Sequence, residues 1–299
     1  MGWLKTTAVT AMAPAIWGTT YIVTSQLLPP GHPLFASLVR ALPAGLIASL
    51  IARSVPTGGW WWKSCVLGVL NMGVFFPLLF VAAYRLPGGV AATLGAGQPL
   101  IVAILAVALL GERLSWWRIT WGVVGLAGVA LVVLRSSARL DGIGVAAGLL
   151  SAASMALGVT LSKKWGRPNS VPALGIAGWQ LTAGGLFLLP LTFILEGMPP
   201  TPDARAVTGY AWLGLVGGLI SYALWFRGIG LLPVTSVAIM GLASPLVAAA
   251  LGMAFLHQAL TGLQLLGFAL ALTAMVASQI PPERLFRIRQ SYSDQGEPA

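Results

Sequence analysis

The sequence predicts an all-α integral membrane protein: ten transmembrane helices arranged as two five-helix repeats of opposite orientation, with both termini in the cytoplasm. Three observations carry this reading. Charge is scarce, the uncharged stretches are long, and the second half of the chain repeats the first across an odd number of spans.

Of 299 residues, 57% are hydrophobic and 8% are charged, against roughly 25% charged in a soluble domain. No charge falls between Lys5 and Arg40, between Arg85 and Glu112, or between Arg227 and Glu283. Such intervals hold helices of about 20 apolar residues, the length that crosses a bilayer. A soluble enzyme, a secreted disulfide scaffold and a disordered chain are excluded, because so few charges do not cover a water-facing surface. The net charge of +10 does not indicate nucleic acid, since the basic residues stand singly or in small groups between apolar segments. Cys65 is the only cysteine, which leaves no internal disulfide and no thiolate metal cluster. Ala11-Met12-Ala13 resembles a signal-peptide cleavage site, but Pro14 follows directly and apolar sequence runs on to Leu28. An uncleaved first span is therefore expected.

Charges and turn formers place the spans at about 6–28, 34–52, 64–83, 88–110, 115–134, 142–162, 171–190, 209–229, 233–256 and 262–280. The first ends at Pro29-Pro30-Gly31-His32-Pro33, and the second contains Arg40 and ends before Pro56-Thr57-Gly58-Gly59. The third starts behind Trp60-Trp61-Trp62, and Pro87-Gly88-Gly89 leads into the fourth. Trp116-Trp117 opens the fifth, where indole rings suit the headgroup level. The sixth lies between Asp141 and Lys163, the seventh is followed by Pro199-Pro200-Thr201-Pro202, and the eighth ends near Arg227. The ninth and tenth share one uncharged stretch, and residues 282–299 form a polar cytoplasmic tail. With the N-terminus inside, twelve basic residues lie on the cytoplasmic side and four (Arg85, Arg135, Arg139 and Arg205) outside. The positive-inside rule selects that orientation.

Residues 87–114 align without gaps on 233–260 with ten identities, including Pro87/Pro233, Gly95/Gly241, Pro99/Pro245 and Leu110/Leu256. The repeats therefore cover residues 1–137 and 138–281. Five spans per repeat is an odd number, so the second repeat is inserted upside down. Inverted repeats mark secondary transporters, which bind substrate near the membrane midplane between the halves.

Ala15-Ile16-Trp17-Gly18 with Thr20, Arg40-Ala41, and Gly95-Ala96-Gly97-Gln98-Pro99-Leu100 running into Leu110-Gly111-Glu112-Arg113-Leu114 carry a resemblance to a known family. The sequence resembles the drug/metabolite transporter (DMT) superfamily, specifically ten-span proteins with two EamA-type repeats. Among these it looks most like the YddG-type exporters of aromatic amino acids. His257-Gln258-Ala259 departs from the Gly-Glu-Arg pattern of the first half. The resemblance implies export of small metabolites by alternating access through a cell membrane, with no cofactor and no enzymatic activity.

Candidate residues follow from polarity at depth. Pro99 and Pro245 each remove a backbone donor near mid-span and push away the carbonyl four residues earlier, those of Gly95 and Gly241. Freed carbonyls inside a membrane must face protein or a wet cavity. Gln98 and Ser244 immediately precede the two prolines. Arg40 is the only charge well inside a span. Its guanidinium offers paired donors to a substrate carboxylate, or it snorkels to the interface.

Trp17, Thr20 and Tyr21 in span one, Trp179 and Gln180 in span seven, and Ser221, Tyr222 and Trp225 in span eight supply aromatic and hydrogen-bonding groups. Phe76, Phe80 and Tyr84 form a stripe at helical spacing in span three. No Asp or Glu lies within a span, and no glycine-rich ATP-binding loop is present. Transport is thus expected to follow gradients. Amino acids, aromatic ones especially, are the expected cargo, with a nucleoside, sugar or drug-like cation as the alternative; a channel is the weaker one, since isolated polar residues rather than a polar ring appear. The sequence leaves the oligomeric state open and is compatible with a monomer. Its short loops suit a bacterial inner membrane.

Overall fold

The structure is a computed structural model that describes residues 2–29, 31–85, 94–133, 141–199, 201–256 and 261–278. Every regular element among them is helical. Pro33–Ala52, Trp60–Ala82, Gly142–Trp165, Ala173–Glu196, Ala204–Leu231 and Val234–Phe255 are long and apolar enough to cross a membrane. Leu94–Leu110, Trp116–Val132 and Gly262–Ala277 are shorter apolar helices. Large apolar side chains such as Leu50, Ile104, Ile194 and Phe255 cover the outside, a surface suited to hydrocarbon. The tail at 282–299, Pro87, His257 and the expected repeat junction at 137–138 lie outside the described residues.

The first span is broken, which the sequence reading did not anticipate: α1 (Gly2–Gly18) and α2 (Thr20–Leu27) meet at Thr19. Next come α3 (Pro33–Ala52), α4 (Trp60–Gly68) and α5 (Phe75–Arg85), the last two joined by a π-helical stretch at Val69–Val74. Then follow α6 (Gln98–Leu110), α7 (Trp116–Val133), α8 (Gly142–Trp165) and α9 (Ala173–Leu191). A second π stretch, Thr192–Glu196, extends α9, and a third, Trp212–Ile220, links α10 (Ala204–Ala211) to α11 (Ser221–Leu231). The chain closes with α12 (Val234–Met240), α13 (Ala243–Leu256) and α14 (Gly262–Ala277).

Acidic residues terminate helices. Asp141 accepts the Gly144 N–H at 2.9 Å and so caps α8, and Asp203 accepts the Ala206 N–H at 2.8 Å at the start of α10. α3 begins at Pro33 without a capping side chain of its own. The Glu196 carboxylate, from the far end of the α9 segment, accepts the N–H groups of Leu34 (2.7 Å) and Phe35 (2.9 Å) instead. A negative charge there also complements the helix dipole.

Helices pack in matched sets. α3 lies on α9, α7 on α14, and α6 on α12. Other close pairs come in twos: α5 on α8 with α11 on α1, and α6 on α8 with α13 on α1. Small residues bring the first two pairs together. A Cβ on Gly178 would stand 2.6 Å from Ser49 Oγ, and one on Gly128 would stand 2.7 Å from the Gly267 carbonyl oxygen. Without hydrophobic driving force between helices in lipid, such close van der Waals contact is what holds them.

Two outcomes are expected. Gly178→Leu and Gly267→Leu should each cost about 1–3 kcal/mol or more through overpacking, read as a lowered thermal unfolding midpoint of detergent-purified protein. Asp141 is held below the usual carboxylate range, first by the Gly144 backbone N–H and also by Arg85, whose Nη1 lies 3.4 Å away. A depressed folded pKa gives stability that is full above the unfolded value of about 4 and lost as pH falls through the folded value. The Tm advantage of wild type over Asp141→Asn should be full at pH 6 and shrink progressively as pH falls below about 4.

Candidate substrate cavity

Residues flanking three helix breaks line one cavity of about 540 Å³, within the size range of small-molecule sites. The breaks lie at Thr19, at Gly97 and at Gly241-Leu242. Tightened turns satisfy the backbone at the second and third. The Gly97 N–H donates to Leu94 O at 3.2 Å and the Leu100 N–H to Gly97 O at 3.1 Å. At the third, the Gly241 N–H donates to Ala238 O at 2.9 Å, and the Ser244 N–H donates to Gly241 O at 3.1 Å. The Gly241 carbonyl is therefore not released by Pro245, as the sequence reading expected. A turn of three residues closes before the proline and takes it up. Gly95, Pro99, Gly241 and Pro245 all line the cavity, together with Gln98 and Ser244. The first break reaches the third directly, since a Cβ on Gly18 would lie 2.6 Å from the Ser244 carbonyl oxygen.

Arg40 is the only charged residue among the described lining residues, and it is 7% exposed. It does not snorkel outward. Its Nη1 donates to Thr20 Oγ1 at 3.4 Å and its Nη2 to the Gly217 carbonyl at 3.3 Å. The Trp17 indole N–H shares that carbonyl at 3.0 Å. Gly217 belongs to the π stretch at Trp212–Ile220, so an irregular turn of one helix meets the broken end of another. The guanidinium carbon also lies 5.0 Å from the Phe76 ring centroid, a distance that suits cation–π attraction. Trp17 packs on Tyr222 (4.9 Å between centroids) and on Trp225 (5.1 Å), which encloses the site with aromatic rings.

Of the residues singled out from sequence, Trp17, Thr20, Arg40, Phe76, Phe80, Gln98, Tyr222, Trp225 and Ser244 line the cavity. The side chains of Tyr21 and Tyr84 lie outside the described residues. Trp179, Gln180 and Ser221 do not line it. Trp179 donates its indole N–H to Ser54 O at 3.0 Å and stacks near Trp60. Gln180 accepts from Asn71 Nδ2 at 2.8 Å in a fully packed layer. Ser221 closes the π stretch at Trp212–Ile220 by donating to Val216 O at 2.6 Å, five residues back. Central depth put all three on the candidate list, but their helix faces point them at neighbouring helices.

The sequence reading missed Thr24, Phe75, Leu79, Ser151 and Met155, which also line the cavity. Thr24 stands one turn beyond Thr20 and Leu79 three residues beyond Phe76, so helical periodicity from accepted positions would have found these two. Ser151 and Met155 sit on an Ala- and Ser-rich face of α8 with no distinguishing signal. Among the described lining residues, the buried atoms Thr24 Oγ1, Gln98 Nε2 and Trp225 Nε1 find no hydrogen-bond partner. Burying a polar group in that state costs about 1–3 kcal/mol.

A largely apolar cavity among broken helices, fixed by few polar groups, is the construction of a multi-pass membrane transporter. The sequence profile of the EamA-like transporter family matches residues 5–134 and again 142–278. The chain belongs to that family, within the drug/metabolite transporter superfamily. It is 43% identical to Protein PecM of Dickeya dadantii (strain 3937), across 89% of this chain and 90% of that one. It is 28% identical to the "Probable terminal-alkyne amino-acid exporter" of Streptantibioticus cattleyicolor, over 81% of this chain and 79% of that one. The "Probable amino-acid metabolite efflux pump" of Escherichia coli (strain K12) is 25% identical over 87% of this chain and 90% of its own. A solved crystal structure shares the fold with a TM-score of 0.78 at 22% identity, covering 94% of this chain and 98% of the other.

Placing Gln180 outside the cavity has a measurable consequence. Gln180→Leu strands the Asn71 amide and should cost about 1–3 kcal/mol of stability. The KM for transported substrate should stay unchanged in the folded fraction, measured by flux into proteoliposomes.

Proposed function

We propose that the protein is a secondary transporter that exports amino acids, neutral and aromatic ones foremost, by alternating access through this cavity. The observation that carries the reading is the placement of one buried guanidinium among aromatic rings where three broken helices meet. An aromatic amino acid brings a carboxylate for the cation and a ring for the indoles. The names of the Streptantibioticus and Escherichia relatives, both of amino-acid exporters or efflux pumps, point the same way.

The proposed architecture is ten spans in two inverted repeats, residues 1–137 and 138–281, with both termini in the cytoplasm of a bacterial inner membrane. Two matches to one family profile and the matched helix pairings support the repeats. The paired π stretches, in α4–α5 and in α10–α11, fall at corresponding places in the two halves. In that orientation the cavity lining extends outward to Leu28, Pro29 and Phe80. Its cytoplasmic side is filled by a core that includes Ala13, Val102, Val159, Ile229 and Val234. On the same side Lys163 Nζ donates to Leu232 O at 2.9 Å, tying α8 to the α11–α12 connection. The state described is thus outward-facing, and inward opening separates α8 from that connection.

Counterflow in proteoliposomes tests the function. Vesicles preloaded with unlabelled phenylalanine or tryptophan should transiently accumulate labelled tracer without an imposed ion gradient, while aspartate gives none. Trp17→Ala and Gln98→Ala should each reduce the flux about tenfold or more at unchanged membrane insertion. No accumulation with any amino acid, from protein shown to be folded, would refute the cargo assignment.

A further inference from the structure

Glycine takes three places in the described lining of the cavity: Gly95, Gly148 and Gly241. At two of them the surrounding fold explains the missing side chain. A Cβ on Gly148 would stand 2.7 Å from Leu94 Cδ1, and one on Gly241 would stand 2.8 Å from the Ala238 carbonyl oxygen. Gly95, the repeat partner of Gly241, is different. It lies in the helical turn at 94–96, just ahead of the Gly97 break, and it is exposed. Beyond its own turn, a Cβ at 95 would meet no atom within 4 Å. Its φ is not positive, so no left-handed turn calls for glycine either. Glycine in a helical turn is destabilising relative to alanine, and neither packing nor backbone geometry explains its place here.

The opposite case is found around Arg40. Phe76, Tyr222 and Trp225 are only 2%, 1% and 1% exposed, so their surfaces are already covered by neighbouring side chains. Cargo held by its carboxylate at Arg40 therefore directs its side chain away from these three rings, into the free volume that Gly95 borders. We propose that Gly95 is a specificity-determining residue: the space in front of its bare Cα receives the ring of an aromatic cargo, and any side chain at 95 lowers the size limit of the site. The inference rests on the amino-acid reading above and names the position that admits the ring. Because a side chain at 95 strikes no other helix, a substitution there takes space from the cargo and leaves the packing of the fold intact. A single methylene in an apolar pocket changes discrimination about 10–200-fold.

Isothermal titration calorimetry on the detergent-purified full chain tests this, with L-tryptophan, L-phenylalanine and L-valine as probes of falling size. The proteins are wild type, Gly95→Ala and Gly95→Val. The Kd for tryptophan should rise about threefold or more in Gly95→Ala and about tenfold or more in Gly95→Val. The Kd for phenylalanine should rise in the same order but by less, and that for valine should change by less than about twofold. Neither variant should lower the thermal unfolding midpoint.

An unchanged Kd for tryptophan in Gly95→Val overturns the inference and leaves the amino-acid reading standing. An equal loss of all three amino acids does the same, since it marks Gly95 as a packing contact and not a limit on cargo size. A lowered thermal midpoint in both variants overturns the inference by showing that the fold itself needs the glycine. Valine bound by wild type without either aromatic amino acid overturns the inference together with the aromatic part of the reading. None of the three bound by folded wild type overturns both.

Discussion

A peptide group facing hydrocarbon has to find its hydrogen-bond partner within its own helix, because the bilayer core offers none. That constraint organises this molecule. The helices show apolar side chains to the outside, and where a turn departs from regularity its loosened backbone groups find partners within the protein. The three breaks border the cavity, and the π stretches bring hydroxyl groups to their carbonyls. Ser154 Oγ donates to Leu70 O at 2.8 Å, and Ser151 Oγ donates to Phe75 O at 3.1 Å, both from α8. A widened or broken turn persists here because a neighbouring helix completes its bonding.

The site is a consequence of the same rule. Gly217 offers a carbonyl inside a π stretch, and that one atom fixes both the Trp17 indole and the Arg40 guanidinium. A charge at this depth is costly unless carbonyls, hydroxyls and π faces surround it. Arg40 has one of each, in Gly217, Thr20 and Phe76. Its surroundings hold the cation in place and leave the cavity itself without a counter-charge among the described lining residues.

Close packing supplies the frame that holds these groups. α3 and α9 approach over Gly178 and Ser49, and α7 and α14 over Gly128 and Gly267. Each pair joins the first half of the chain to the second. The carboxylate of Glu196 on the start of α3 adds a polar link at one end of the α3–α9 pair. These contacts tie the halves together at the periphery, while the cavity lies between helices whose pairing is interrupted by breaks.

The sequence by itself determined the class, the helix placement and the scarcity of charge at depth. Those features follow from local quantities: hydropathy over about 20 residues, turn formers and the position of each charge along the chain. It also marked Pro99, Pro245, Arg40 and the aromatic positions in spans one and three, because polarity or a missing donor in an apolar run is visible without neighbours. Tertiary structure alone decided which face each helix turns to the cavity. Trp179 and Gln180 are as central in their span as Trp17 is in its own, yet they pair with Ser54 and Asn71 in packed layers. The break at Thr19 and the uptake of the Gly241 carbonyl by Ser244 were equally hidden. Rotation about a helix axis and the closing of a single turn depend on which neighbour supplies the contact, and in so uniformly apolar a chain the periodicity is too weak to say.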